Sequence, residues 1–188
     1  MNAAKWMRIW RADDDRRSRI EEVLSSLKGL AISSCPRQAL DMVMFELGDR
    51  IITTDYKGHS VEVGKYALHI TCPWRLVDQA TIIVGSDDMC IPPGEQRGCN
   101  EPHSAGPSRF GQRATLWFEQ YNGRGPIVAS VRADVFGGFN LGLSQDQALE
   151  VFPADSFTDD ERWRLFATDD QRNFVVRGHG IDEDNWTC

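Results

Sequence analysis

Apolar positions along the chain change their period after the first thirty residues. Between 16 and 30, Ile20, Val23, Leu24 and Leu27 recur at i, i+3, i+4 and i+7, which predicts an amphipathic helix. Asp13–Asp15 suit its first turn, where the helix dipole favours negative charge, and Lys28 and Gly29 suit its end. Beyond Pro36 the period falls to two. Strands are predicted over 41–47, 50–56, 66–71, 74–77 and 80–84, with Gly48–Asp49 as a turn between the first two. A second set covers 127–135, 139–143, 148–152, 162–166 and 174–177. Between the two sets, 86–108 holds four prolines together with Gly94, Gly98 and Gly106, which predicts an irregular loop. A short helix is predicted over 110–121, with Ala114, Trp117, Phe118 and Tyr121 on one face. The fold class is α+β, mostly antiparallel β-sheet, in one domain over 1–188 with an N-terminal helical segment at 1–30.

The two sets of strands echo each other. The first reads Phe45-Glu-Leu-Gly, Ala67-Leu-His-Ile, Trp74-Arg-Leu and Ile82-Ile-Val-Gly; the second reads Phe139-Asn-Leu-Gly, Ala148-Leu-Glu-Val, Trp163-Arg-Leu and Phe174-Val-Val-Arg. Alternating strands resemble one another by composition, so chance is one explanation. The repeated Trp-Arg-Leu after an Ala-Leu strand is what chance explains least well. Two similar meanders sharing a buried face is the other reading. In each Trp-Arg-Leu the Trp and Leu would enter the core and the Arg would face outward, since strand side chains alternate.

Composition narrows the function classes. The formal charge is −7 with a pI near 5.1, the opposite of the basic footprint that phosphate binding requires, so no nucleic-acid partner is expected. No apolar run is long enough to span a bilayer, and the first residues lack the apolar core of a secretory signal, so a cytoplasmic protein with no membrane partner is expected. The odd count of five cysteines, irregularly spaced, suits reduced thiols. Charge is unevenly spread: residues 146–188 hold 11 acidic and 4 basic side chains, a balance equal to that of the whole chain. This is either a solvated surface or a landing patch for a basic partner.

Candidate chemistry is thin. Cys90, Cys99 and His103 in the loop, with His69 and Cys72 upstream, lack the short Cys-x(2–4)-Cys spacing of zinc sites, so no metal is assigned. A Cys–His nucleophile pair has no supporting signature around it. Carboxylate pairs at Asp87–Asp88, Asp159–Glu161, Asp169–Asp170 and Asp182–Asp184 all sit in turn-forming contexts. No glycine-rich phosphate loop is present, and no cofactor or catalytic residue is expected.

The run Tyr66-Ala-Leu-His-Ile-Thr-Cys-Pro-Trp-Arg75, with Gly85-Ser-Asp87, Phe136-Gly-Gly138, Leu149-Glu-Val-Phe-Pro153 and Glu161-Arg-Trp-Arg164, resembles a family of small uncharacterised bacterial proteins. In size and style it is similar to the immunity proteins of polymorphic or contact-dependent toxin systems. That resemblance implies a non-enzymatic protein that neutralises a basic toxin domain by direct binding. Asp155, Asp159, Asp160, Glu161, Asp169 and Asp170 are its candidate contacts. The alternative is a small enzyme or a metal- or ligand-binding protein that uses the loop at 87–108. A subunit interface through Trp6, Trp10 and Trp186 is a third possibility.

Overall fold

The computed structural model describes residues 15–55, 57–94, 108–170, 172–184 and 186. Among these residues are two α-helices and eleven strands. Helix α1 occupies 15–24 and ends in a tighter turn at Ser25–Leu27; α2 is Arg109–Glu119. The strands are β1 (Arg37–Ala39), β2 (Met42–Thr54), β3 (Ser60–Ile70), β4 (Trp74–Val77), β5 (Ile82–Gly85), β6 (Val128–Ala133), β7 (Phe139–Leu143), β8 (Gln147–Val151), β9 (Glu161–Ala167), β10 (Arg172–Arg177) and β11 (Ile181–Asp184). All pair antiparallel, in a six-stranded sheet ordered β1-β2-β3-β9-β10-β11 and a five-stranded sheet ordered β5-β4-β8-β7-β6. The α+β class expected from the periodicity is the class observed.

The sheets face each other over one apolar core. Phe45 of β2 meets Trp74 of β4 edge-on at 5.8 Å between ring centroids, and Phe139 of β7 meets Trp163 of β9 at 4.9 Å. Each helix closes one open side. From α1, Arg19 pairs with Glu183 of β11 at 2.7 Å, while Glu21 accepts from the Ala133 amide of β6 at 2.9 Å. From α2, Arg113 donates to the Ile82 and Ile83 carbonyls of β5, and the capping Ser108 donates to Gln38 of β1. Both helices thus satisfy edge groups of two different sheets while burying an apolar stripe, Ile20, Val23 and Leu24 in one and Phe110, Ala114 and Trp117 in the other.

The Ala-Leu and Trp-Arg-Leu parts of the echo hold in register, whereas Phe139, opposite Val151, takes the place of Val43 rather than Phe45. In the six-stranded sheet Ala67, Leu68, His69 and Ile70 pair with Phe166, Leu165, Arg164 and Trp163. In the five-stranded sheet Ala148, Leu149, Glu150 and Val151 pair with Val77, Leu76, Arg75 and Trp74. The corners match as well: the Thr71 amide donates to the Arg162 carbonyl at 3.0 Å, and the Phe152 amide donates to the Pro73 carbonyl at 3.0 Å. The first half runs α1-β1-β2-β3-β4-β5 and the second α2-β6-β7-β8-β9-β10. Each half sends its first three strands to one sheet and its last two to the other. Trp74, Leu76, Trp163 and Leu165 are all buried, as the alternation predicts, while Arg75 and Arg164 face outward.

Some local expectations need correction. Residues 41–47 and 50–56 are not two strands around a turn: β2 runs unbroken from Met42 to Thr54 with a bulge where the register shifts between Leu47 and Arg50. Gly48 sits there at φ +85°, the left-handed conformation a bulge needs and a side chain resists. The first helix stops at Leu27 rather than residue 30, because the Gly29 amide leaves it for the Val128 carbonyl of β6 at 2.9 Å. The loop at 86–108 opens with a tight helical turn, Ser86–Cys90, and ends on Ser108, the cap of α2; the part from 95 to 107 lies outside the described residues.

Candidate functional site

Strand β9 divides the six candidate carboxylates. Asp155, Asp159, Asp160 and Glu161 lie on the connection from β8 into the start of β9, while Asp169 and Asp170 lie in the turn after its last residue. Seven residues of strand separate the groups by roughly 20 Å, so the six form two clusters rather than one. Asp169 pairs with Lys65 at 3.7 Å and Asp170 with Arg172 at 2.7 Å. The Arg172 bond holds the Asp170 carboxyl below the usual carboxylate range.

The first group is built on a pinned loop. Arg162 is only 4% exposed, and its guanidinium reaches the Asp155 carboxylate and the Phe157 carbonyl, the latter at 2.5 Å. These bonds fold the 152–160 connection back onto β9. The Arg162 bond, with a second from the Phe157 amide, lowers the Asp155 pKa. The turn between β10 and β11 docks on the same connection: the Gly178 amide donates to the Asp160 carbonyl, the His179 amide to that of Thr158, and the Arg177 guanidinium to that of Asp159. Glu161 is held by Arg164. That leaves Asp159, with a side chain 95% exposed and His179 at 3.7 Å, and Asp160, which forms no ion pair among the described residues. Phe157, 66% exposed, stands beside them in the chain. The loop presents two carboxylates and an aromatic ring on a backbone that other elements hold still.

A second feature lies at the root of the 86–108 loop. A cleft of about 440 Å³ is lined by Pro73, Trp74, Ile82, Ile91 and Phe152, by the turn Gly85–Asp88, and by Arg75, Arg109 and Arg113. Arg75 pairs with Glu150 at 2.5 Å and stacks over Phe152 at 5.6 Å; Arg109 pairs with Asp88 at 3.1 Å. Arg113 gives its bonds to the edge carbonyls of β5 and has no carboxylate partner among the described residues. The Trp74 indole Nε1 is buried without an acceptor among the described residues.

The sequence treats Trp74 and Trp163 as equals. The structure does not. Trp163 Nε1 donates to the Gly137 carbonyl at 2.7 Å. The signals that separate the two are local: Pro73 stands where the second half has Arg162, and the four residues 39–42 stand where it has the five of 134–138.

The thiols offer little chemistry. Cys72 is buried, and desolvation pushes its pKa up to about 12, so it stays protonated and unreactive. Cys35 is likewise shifted up by burial, whereas Cys90 is exposed. Cys99 and His103 lie outside the described residues, as do Trp6 and Trp10. Trp186 is buried against Tyr66 and Phe174. Among the described residues no three His, Cys, Asp or Glu side chains gather as metal ligands, and no helix is long and apolar enough to cross a membrane.

No family model, curated protein or solved structure matches the chain. The comparison that informs its chemistry is internal, one half against the other.

Proposed function

We propose that the protein acts by binding rather than by transforming a molecule. Its loop Asp155–Glu161 docks a basic protein surface, in the manner of an immunity protein that blocks a bacterial toxin domain. The observation that carries this reading is the Asp159–Asp160 pair, exposed beside Phe157 on a connection pinned by Arg162. Fixed carboxylates steer a cationic partner and lose little conformational freedom on docking, while an exposed aromatic ring supplies the apolar contact such interfaces centre on. Asp169 and Asp170, some 20 Å away and each with a cation of its own, belong outside that contact.

The division gives a built-in control. Asp159→Lys with Asp160→Lys is expected to slow association with the toxin-like product of a neighbouring gene by roughly tenfold at low salt and to flatten its salt dependence. Asp169→Lys with Asp170→Lys is expected to leave both nearly unchanged. Stopped-flow or surface-based kinetics at two salt concentrations measure it. Equal effects of the two double variants would remove the loop from the interface.

A further inference from the structure

Superimposing the halves by register puts the cleft in a specific place. Gly137 lies where a Cβ would come within 2.7 Å of Arg16 on α1 and 2.9 Å of Val176 on β10, and its carbonyl receives the Trp163 indole. Val176 pairs with Trp163 on β9. Continuing the pairing of Arg75 with Gly85 by one residue sets Ser86 opposite Trp74 in the same way. The counterpart of α1 is α2, which brings Arg109 and Arg113. The counterpart of the Gly137 position in the first half is therefore bounded by Trp74, Ser86, Arg109 and Arg113, and all four line the cleft. The turn in the first half is one residue shorter: Gln38 pairs with Val43 where Ala133 pairs with Phe139, so four residues, 39–42, stand against five, 134–138, and among the described residues no carbonyl reaches the Trp74 indole.

We infer that the cleft beside Trp74 binds a small organic carboxylate with an aromatic or branched apolar body, whose oxygen takes the place that the Gly137 carbonyl holds in the other half. The apolar floor of Trp74, Ile82, Ile91 and Phe152 matches the body, and a carboxylate satisfies two needs a neutral carbonyl meets only in part. It accepts from the buried indole N–H, which is costly to leave unpaired, and it balances Arg113, which forms no ion pair among the described residues, while the neighbouring Asp88 is already neutralised by Arg109. The volume suits a ligand of one ring and a short acid arm rather than a folded partner. This site gives a location to the alternative that the 86–108 loop serves a ligand, and it does not depend on docking through Asp159 and Asp160.

Phenylacetate titrated into the ¹⁵N-labelled full chain tests it, read on the indole N–H resonances, with Trp74→Phe used to assign the Trp74 signal. The Trp74 resonance should move saturably to lower field, the shift of a newly accepted hydrogen bond, while that of Trp163 stays in place. Arg113→Gln, whose amide can still donate to a β5 carbonyl, should weaken the titration roughly tenfold. A Trp74 signal that never moves, one that moves equally with phenethylamine, or an unchanged affinity in Arg113→Gln each overturns the assignment. If Trp74→Phe fails to fold, assignment by through-bond experiments on the unaltered chain leaves the titration intact. None of these readouts involves the acidic loop, so a failure here is distinct from a failure of the docking reading.

Discussion

Trp163 and Trp74 hold equivalent places in the two halves, on strands with matched partners and each against a phenylalanine ring, yet among the described residues only Trp163 has an acceptor for its indole N–H. What differs is the connection in front of each. In the second half Asp134 accepts from the Phe136 and Gly138 amides and coils the turn so that the Gly137 carbonyl reaches inward. In the first half the equivalent connection, 39–42, is one residue shorter, and the cleft beside Trp74 is lined by Arg75, Arg109 and Arg113 together with Asp87 and Asp88. A repeated framework fixes where a core tryptophan goes; the loop attached to it decides whether that tryptophan closes the core or floors a cleft.

The largest expected effect comes from forcing the turn that makes the difference. Gly137→Val places a side chain at φ +93° against Arg16 and Val176, and should destabilise the protein by about 3 kcal/mol or more in urea unfolding. Leu40→Asn, in the opposite turn, replaces an 80% exposed side chain held at φ +56° by one that tolerates that conformation, and should be neutral or slightly stabilising. Similar losses at both sites would mean that the two connections are not the source of the asymmetry.

Next comes the pair of indoles. Trp163→Phe removes ring volume and strands the buried Gly137 carbonyl, for about 3 kcal/mol. Trp74→Phe removes similar volume but also an unpaired donor, so it should cost at least about 1 kcal/mol less. Thermal or urea unfolding of both variants under one buffer checks the order, and a reversed order would contradict the assignment of the partners.

The smallest effect lies at a position where the halves differ in charge. Arg75 faces Glu150 across its strand pair, whereas Arg164 faces His69 and turns to Glu161 instead. Burial, then the Arg164 charge, push the His69 pKa down. The unfolded chain therefore takes up a proton first, near its ordinary value of about 6.5, and stability should fall as the pH drops below that point. The loss between pH 7.5 and 5.5 should stay under about 1 kcal/mol, and His69→Gln should flatten it. Asp155, shifted down by Arg162, adds its stability above the unfolded carboxylate range near 3.9 and loses it only in stronger acid, so the two slopes fall in separate windows.

Much of this fold is legible in the chain. The period-two runs locate the strands, and Trp-Arg-Leu marks their inward faces at both places. A period of two, however, states which face a residue takes and not which strand lies beside it. That is why the echo is visible while the exchange of strands between sheets is not. Three-residue β1 and four-residue β11 are too short to show alternation, and Gly48 reads as a turn because a bulge and a hairpin both ask for a glycine at positive φ. The acidic tail is legible as charge but not as place: residues less than ten apart in sequence are carried by β9 to opposite ends of a sheet.

The exchange of strands also sets the order in which this polypeptide can be made. The Thr71 hydroxyl, just past the end of β3, donates to the Glu161 carbonyl, 90 residues later. During synthesis the first half emerges with β3 as an open border and its β4–β5 hairpin docked on nothing. Neither layer can be completed until the second half has left the ribosome. Loops that long close slowly, so the nascent first half must survive as an exposed sheet margin, the state in which strand-rich chains are most prone to pair with the wrong neighbour.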